Sequence, residues 1–266
     1  MRKRLGYLMV VFLAFLIVST CLPTPHAAAG SLTGAQPDSD DIDPDAMATL
    51  TKMGTYLRSL KAFQVVASIT RDEVMDDGQL VKLDSKVDLL ARFPDRLRVE
   101  VTNVRQHRLY LYNGKDFTIY GERVGYYATV PAPATVGKLA TVLGDKYGLQ
   151  LPLEDLFYWG TPQSKEKEIT GAMDVGASEI GGVTCEHYAF RQPGLDWQVW
   201  VQLGDYPLPR KLVLTTLTDD ARPQYSSVLD WNLAPSYNEA AFEFAPPPDA
   251  HKIVLAEESE QSGASH

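Results

Sequence analysis

SKVDLLARFPDRLRVEVTNVRQHRLYLYNGKDFTIYGERVGYYATVP, residues 85–131, reads as strand and turn repeated, with almost no helix signal. Leu97, Val99 and Val101 alternate with Arg96, Arg98, Glu100 and Thr102. A period of two marks a strand with one dry face and one wet face. Asn113-Gly114 separates LYLY from DFTIY, and that dipeptide supplies the positive φ of a tight hairpin. An antiparallel meander of this kind is apolar on one side and wet on the other. Whatever covers the apolar side decides the function: a sealed core, or a pocket for a greasy ligand.

The same pattern extends both ways. Val87, Leu89 and Ala91 alternate before Phe93-Pro94-Asp95 breaks the strand. Phe63, Val65, Ala67 and Ile69 alternate before the turn at Asp76-Asp77-Gly78. Asp43-Pro44 opens a helix, since Asp caps and Pro suits the first helical position. Ala46, Leu50, Met53, Leu57 and Leu60 form its apolar stripe. After Pro131 and Pro133, Val136, Leu139, Ala140, Leu143 and Tyr147 return to helical spacing, and Gly148 stops them. Pro152 opens a short apolar turn, LEDLFYW, closed by Gly160. Residues 164–173 read as ambiguous, with a short polar helix as one reading.

Strands resume at Val175, turn at Gly181-Gly182, and continue through DWQVWVQ at 196–202 to two last strands at 210–217 and 224–233. Phe242 and Phe244 end the ordered part before Pro246-Pro247-Pro248. The spacing predicts an α+β fold. A strongly curved, unclosed antiparallel sheet of about ten or eleven strands, a half-barrel, wraps an N-terminal helix and a central helical segment.

The ends are not part of this fold. Arg2, Lys3 and Arg4 precede an apolar run from Leu5 to Val18, the length of a signal-peptide core and short for a membrane span. Ala27-Ala28-Ala29 fits cleavage after Ala29, so residues 1–29 read as a signal peptide and the localisation as periplasmic. Val18-Ser19-Thr20-Cys21 resembles a lipobox, which gives the alternative of a lipoprotein anchored through Cys21. Thr20 is a poor residue at that position. Residues 30–41 read as an acidic disordered linker, 42–255 as a single domain, and 256–266 as a disordered tail. Asp38, Asp40, Asp41, Asp43 and Asp45 do not make a calcium loop, because Ile42 interrupts them and no Gly takes the sharp turn.

The 266-residue chain carries a net charge of −9. Residues 1–29 hold three basic residues and no acid, so the mature chain stands at −12. A basic nucleic-acid face is excluded on that charge. Cys185 would be the one thiol of a released chain and reads as a small buried hydrophobe. His107, His187, His251 and His266 show no metal-ligand spacing. Cys185 and His187 share a strand face, a conceivable but weak pair. No G-x-S-x-G elbow and no Gly-rich phosphate loop appear. The expectation is therefore a non-enzymatic protein with no metal and no cofactor. Trp197 and Trp200, on opposite faces of one strand, and the many Tyr residues belong to an aromatic core or to a face that meets a ligand.

Seven blocks carry a family resemblance: DPDAMATLTKMGTYLRSLKAF, RFPDRLRVEV, YNGKDFTIY, GYYATVPAP, LPLEDLFYWG, CEHYAFRQPGLDWQVWVQ and LPRKLVLTT. Over residues 42–253 the chain resembles the predicted periplasmic proteins of domain-of-unknown-function family 2092. A more distant likeness is to the periplasmic lipoprotein carrier and its outer-membrane receptor. It rests on the helix-strand start, the x-Pro-Asp strand boundary, the Asn-Gly-Lys hairpin and the terminal F-x-F-x-P-P. That resemblance implies a curved sheet wrapped around helices, with acyl chains held between them. The carrier has a basic residue just before the proline matching Pro94. This chain has Phe93, so a gate built on that residue does not carry over.

The expected ligand site is the apolar space between sheet and helices. Leu97, Val99, Val101, Trp197 and Val199 line it from the strands, and Leu139, Leu143, Phe157 and Trp159 from the helical segment. Its ligand would be a lipid or acyl-bearing molecule, held by a monomeric carrier or sensor. The alternative is a protein-interaction module that binds an envelope partner by a sheet edge.

Overall fold

The computed structural model describes residues 42–257. The cleavage site after Ala29, Cys21, the acidic linker and most of the tail lie outside the described residues.

Helix α1, Pro44–Ser59, begins as its sequence dictates. Asp43 accepts from the amides of Asp45 (2.8 Å) and Ala46 (3.3 Å), and Pro44 sits in the first turn. Its stripe of Ala46, Leu50, Met53 and Leu57 is buried. Leu60 ends the helix in extended backbone.

Six strands follow in hairpin succession: β1 Ala62–Val74, β2 Leu80–Arg92, β3 Arg96–Thr102, β4 His107–Tyr112, β5 Asp116–Gly121 and β6 Tyr126–Pro131. The tight turn at Asn113-Gly114 is as expected. Asn113 Oδ1 accepts from the amides of Lys115 and Asp116, and Gly114 has φ 88°. Helices α2, Val136–Tyr147, and α3, Asp155–Tyr158, come next. Five more strands complete the body: β7 Gly171–Ile180, β8 Val183–Gln192, β9 Leu195–Gln202, β10 Pro209–Thr216 and β11 Gln224–Asn232. A two-residue β12, His251–Lys252, pairs parallel to β6.

All twelve strands form one sheet, in the order β12-β6-β5-β4-β3-β2-β1-β11-β10-β9-β8-β7. The two ends of that order do not pair, so the sheet is an open half-barrel. The count exceeds the expected ten or eleven. β12 carries no alternation to reveal it, being two residues long. The strand expected to resume at Val175 begins at Gly171. There a bulge between Asp174 and Gly176 broke the alternation, and Asp174 Oδ1 accepts from the Gly176 amide. Residues 162–168 form two short 3-10 turns rather than one polar helix.

The strand order fixes where the helices go. β1–β6 step outward to one edge, and β7–β11 step back from the opposite edge until β11 pairs with β1. Residues 132–170, which join β6 to β7, must therefore cross from edge to edge. They carry α2 and α3 over the concave face. Alternate residues on that face are buried: Phe63, Val65, Ala67 and Ile69 on β1, and Leu97, Val99 and Val101 on β3. Each large side chain buried this way contributes about 1.5–3 kcal/mol.

The outer face is not uniformly wet. Leu90, Leu111 and Thr118 on that face are buried, as is Phe242 of the C-terminal segment. Phe244 packs on Tyr120 and Tyr127 at 5.5 and 5.0 Å between ring centroids. Glu239 of the same segment pairs with Arg92 and Arg96, and Glu243 accepts from Asn113. The F-x-F motif is thus a strap across the back of the sheet.

Candidate functional site

The nine residues expected around the ligand all fall in one apolar cluster. Leu97, Val99, Val101, Trp197 and Val199 reach it from the concave face, and Leu139, Leu143, Phe157 and Trp159 from the crossover. All are buried. Strand alternation explains the first five: Val99 lies opposite Leu89 and Tyr110, and Val199 opposite Tyr188 and Leu212. The helical period explains Leu139 and Leu143, one turn apart on α2. The interior is filled by these side chains, so a ligand would have to displace some of them.

The crossover is held at two unlike places. Near α3 it is locked to α1 by backbone. A Cβ on Gly54 would lie 2.5 Å from the Gly160 nitrogen, and one on Gly160 would lie 2.6 Å from Gly54 carbonyl atoms. Only glycines permit that approach. Arg58 of α1 donates to the carbonyls of Leu156 and Phe157 and lies over the Phe93 ring at 5.6 Å. Burial lowers the pKa of this guanidinium. By contrast, α2 is anchored at its start. The Val136 amide donates to Pro94 O (2.9 Å) and Tyr112 donates to Pro133 O. Beyond that anchor its buried contacts are the apolar Leu139, Ala140 and Leu143, with Thr141 bonded to Tyr158.

Sequence reading missed a set of polar groups in this interior. Burial, with Asp155 adjacent, pushes the Glu154 carboxyl up to about 7. Burial also raises Asp155. Tyr158 is pushed up to about 12 by burial and by Glu154. Tyr225, on the concave face of β11, is raised by burial and feels Asp155. Buried Trp197 Nε1 has no hydrogen-bond partner, whereas Ser227, also buried, shares a hydrogen bond with the Tyr225 hydroxyl. Glu154 and Asp155 interrupt an apolar run while Tyr225 and Ser227 sit in the polar stretch QYSS, and no spacing rule separates such residues from solvent-facing ones.

Cys185 and His187 share the outer face of β8, as expected, but neither is set to activate the other. The Cys185 thiol points to Val183 O at 3.4 Å and is raised by burial. His187 bonds Gln198 at 2.9 Å and stacks on Trp200 at 3.9 Å, with Lys211 over the other partner of that stack. Its pKa is lowered by burial. Trp200, on the face opposite Trp197, is thereby covered rather than left to meet a ligand. Among the described residues no group of three or more His, Cys, Asp or Glu is placed to hold a metal ion. An outer recess of about 210 Å³ lies between the C-terminal strap and β4–β6, lined by Thr118, Thr129, Asp116 and Glu243 among others. Such a polar lining does not suit an acyl chain.

A family model described as "Predicted periplasmic protein (DUF2092)" matches residues 46–256. No curated protein matches the sequence. Among solved structures the chain is similar to the Mycobacterium tuberculosis lipoprotein LppX, with 11% identity, TM-score 0.45, and coverage of 73% of this chain and 98% of that one. It is similar to LprF from Mycobacterium bovis, with 14% identity, TM-score 0.40, and coverage of 79% and 100%. A LolA superfamily protein from Nitrosomonas europaea gives 10% identity, TM-score 0.38, and coverage of 75% and 97%. These likenesses are distant, and the functional argument rests on the interior itself.

Proposed function

Since this chain belongs to the DUF2092 family of predicted periplasmic proteins, we propose that it is an envelope binding protein that holds an acyl chain between its curved sheet and the residue 132–170 crossover. One observation carries the reading. The apolar concave face of the sheet is closed by a helical crossover held at the start of α2 and at the α3 turn, not by a second sheet. Helix α2 covers it mainly through Leu139, Ala140 and Leu143. Hydrophobic cover is non-directional, so acyl methylenes can take over the place of these side chains as α2 swings out. Each methylene removed from water contributes about 0.8 kcal/mol, or roughly 10 kcal/mol for a C16 chain before ordering costs.

In this reading the protein reaches the periplasm through residues 1–29 and works as a monomer without catalysis. Cleavage after Ala29 releases it; lipidation of Cys21 would tether it instead. Native mass spectrometry of protein purified gently from the envelope tests both points. The expected result is an added mass that extracts as a lipid, on a chain beginning at Gly30. A bare protein mass that stays unchanged after incubation with envelope lipids would contradict the binding reading.

A further inference from the structure

Strands β1–β6 pair antiparallel in succession, so the turns after β1, β3 and β5 leave the sheet at one end. The β2–β3 turn, whose Pro94 anchors α2, lies at the other end. Each of the three turns holds apolar side chains out to solvent: Met75 and Leu80 at the first, Val104 at the second and Val124 at the third. Val104 is 83% exposed and Val124 66%. Turn geometry does not ask for them, since turns favour Gly, Pro, Asn, Asp and Ser. The turns are firmly built. Asn103 Oδ1 accepts from the amides of Arg105 and Gln106, both at 2.8 Å, and the Asn103 amide donates to Gln106 O. The Gly125 amide donates to Gly121 O, and a φ of 68° at Gly125 closes the turn that carries Val124. They are also tied to one another. Arg123 donates to the carbonyls of Val104 (2.6 Å) and Asn103 (3.1 Å). Arg105 pairs with Glu73 at 3.1 Å, just before Met75. Tyr126 stands exposed at the start of β6, beside this row.

We infer that this row of turns is a rim that seats on a zwitterionic lipid bilayer, with Val104 and Val124 entering the headgroup layer. The apolar knobs are single side chains. The β3–β4 and β5–β6 turns stand two strand spacings apart, about 10 Å, and Arg105, Glu122 and Arg123 interrupt the row. A protein partner would need a separate socket for each knob, within the roughly 800 Å² that a stable interface buries on each side. A fluid interface shapes itself to separate knobs and takes up each apolar side chain independently. Tyr126 offers an apolar ring with a polar tip, a side chain favoured at membrane–water interfaces. Charge selects the headgroup. In the three turns Glu73, Asp76, Asp77 and Glu122 outnumber Arg105 and Arg123. Arg105 is paired with Glu73, and Arg123 is engaged by carbonyls. Anionic lipid therefore gains nothing here over zwitterionic lipid. The inference is independent of the acyl-binding reading, because the rim seats with the interior closed.

The test is flotation of the chain from Gly30 onward with vesicles of phosphatidylcholine, and with vesicles that also hold phosphatidylglycerol. The chain is expected to float with phosphatidylcholine, no better with phosphatidylglycerol, and equally well in high salt. Val104→Asp and Val124→Asp should each weaken vesicle binding by about tenfold. Both side chains are exposed, so the urea midpoint should not move. Leu203→Asp, on the exposed β9–β10 turn at the other end of the sheet, should leave vesicle binding unchanged. Binding that ignores both valines, or that falls equally with Leu203→Asp, would overturn the rim. Binding that requires phosphatidylglycerol and is lost in salt would show attraction by charge and overturn the apolar seat. Absence of flotation would overturn it too, and a dimer that depends on the valines in sedimentation would then assign the rim to a second copy of the chain. Failure here is distinct from failure of the acyl-binding reading: a chain that carries an extractable lipid yet does not float loses this inference alone, and one that floats without such a lipid loses the other.

Discussion

The α1–α3 junction and helix α2 cover the same concave face by opposite means. At the junction, Gly54 and Gly160 bring two backbones into contact, and Arg58 donates to two carbonyls of the α3 turn. Those contacts are directional and fit one geometry only. Helix α2 is pinned at Val136 and then relies mainly on Leu139, Ala140 and Leu143, with the Thr141–Tyr158 bond and the exposed Lys146–Glu257 pair beside them. Its cover is non-directional and exchangeable for any apolar surface of similar shape. The difference teaches which part of a lid is frame and which is door. Amphipathicity is common to both helices, so it does not distinguish them; the glycine contact and the buried guanidinium do.

The largest effect separates the two helices directly. Leu50→Ala in α1 should cost about 4 kcal/mol, at the upper end for a core leucine, because its surroundings cannot collapse. Leu143→Ala in α2 should cost about 2 kcal/mol, because the helix can settle. Urea unfolding of both variants checks this, and equal costs would break the frame-and-door distinction. Next comes Gly160→Ala. Its φ of 73° and its contact with Gly54 both oppose a side chain, so about 3 kcal/mol should be lost. A change below about 1 kcal/mol would mean that the two backbones separate freely.

The smallest effect is a pH dependence. The folded protein holds a proton on Glu154 up to about 7, above its ordinary value of 4.5. The folded state therefore binds more protons than the unfolded one between those values, and stability falls as pH rises through that window. Asp155 is raised too and acts with the same sign. Glu154→Gln should remove about 1–2 kcal/mol of that fall between pH 4.5 and 7.5. Unfolding curves at the two pH values compare variant and wild type, and an unaltered dependence would show that Glu154 is hydrated in the fold.

Much of this was legible in the residues. The alternation of Leu97, Val99 and Val101 placed them on the concave face, and Asp43-Pro44 and Gly148 marked helix ends where they stand. What escaped reading is tertiary. β12 is too short to show a period, and the bulge at Asp174 shifts the alternation that would have announced β7. Nothing local in Gly54 or Gly160 says that they meet, since Gly54 reads as a tolerated helix glycine and Gly160 as the end of a turn. Leu90 and Leu111 belong to the outer face, and their burial becomes intelligible only once Phe242 and its strap are in place. The nine expected site residues do converge, but strand alternation cannot distinguish a filled interior from an open one. The polar groups at Asp155, Tyr225 and Ser227 were hidden for the same reason: depth depends on what lies across the sheet.

Hydrogen exchange, read by mass spectrometry with and without 1-monopalmitoylglycerol, tests the central claim most directly. The account predicts that residues 136–147 exchange through a local opening while residues 44–59 exchange only on global unfolding. It predicts that the lipid alters exchange at 136–147 and leaves 44–59 unchanged. Exchange of both helices as one cooperative unit, indifferent to lipid, would contradict it.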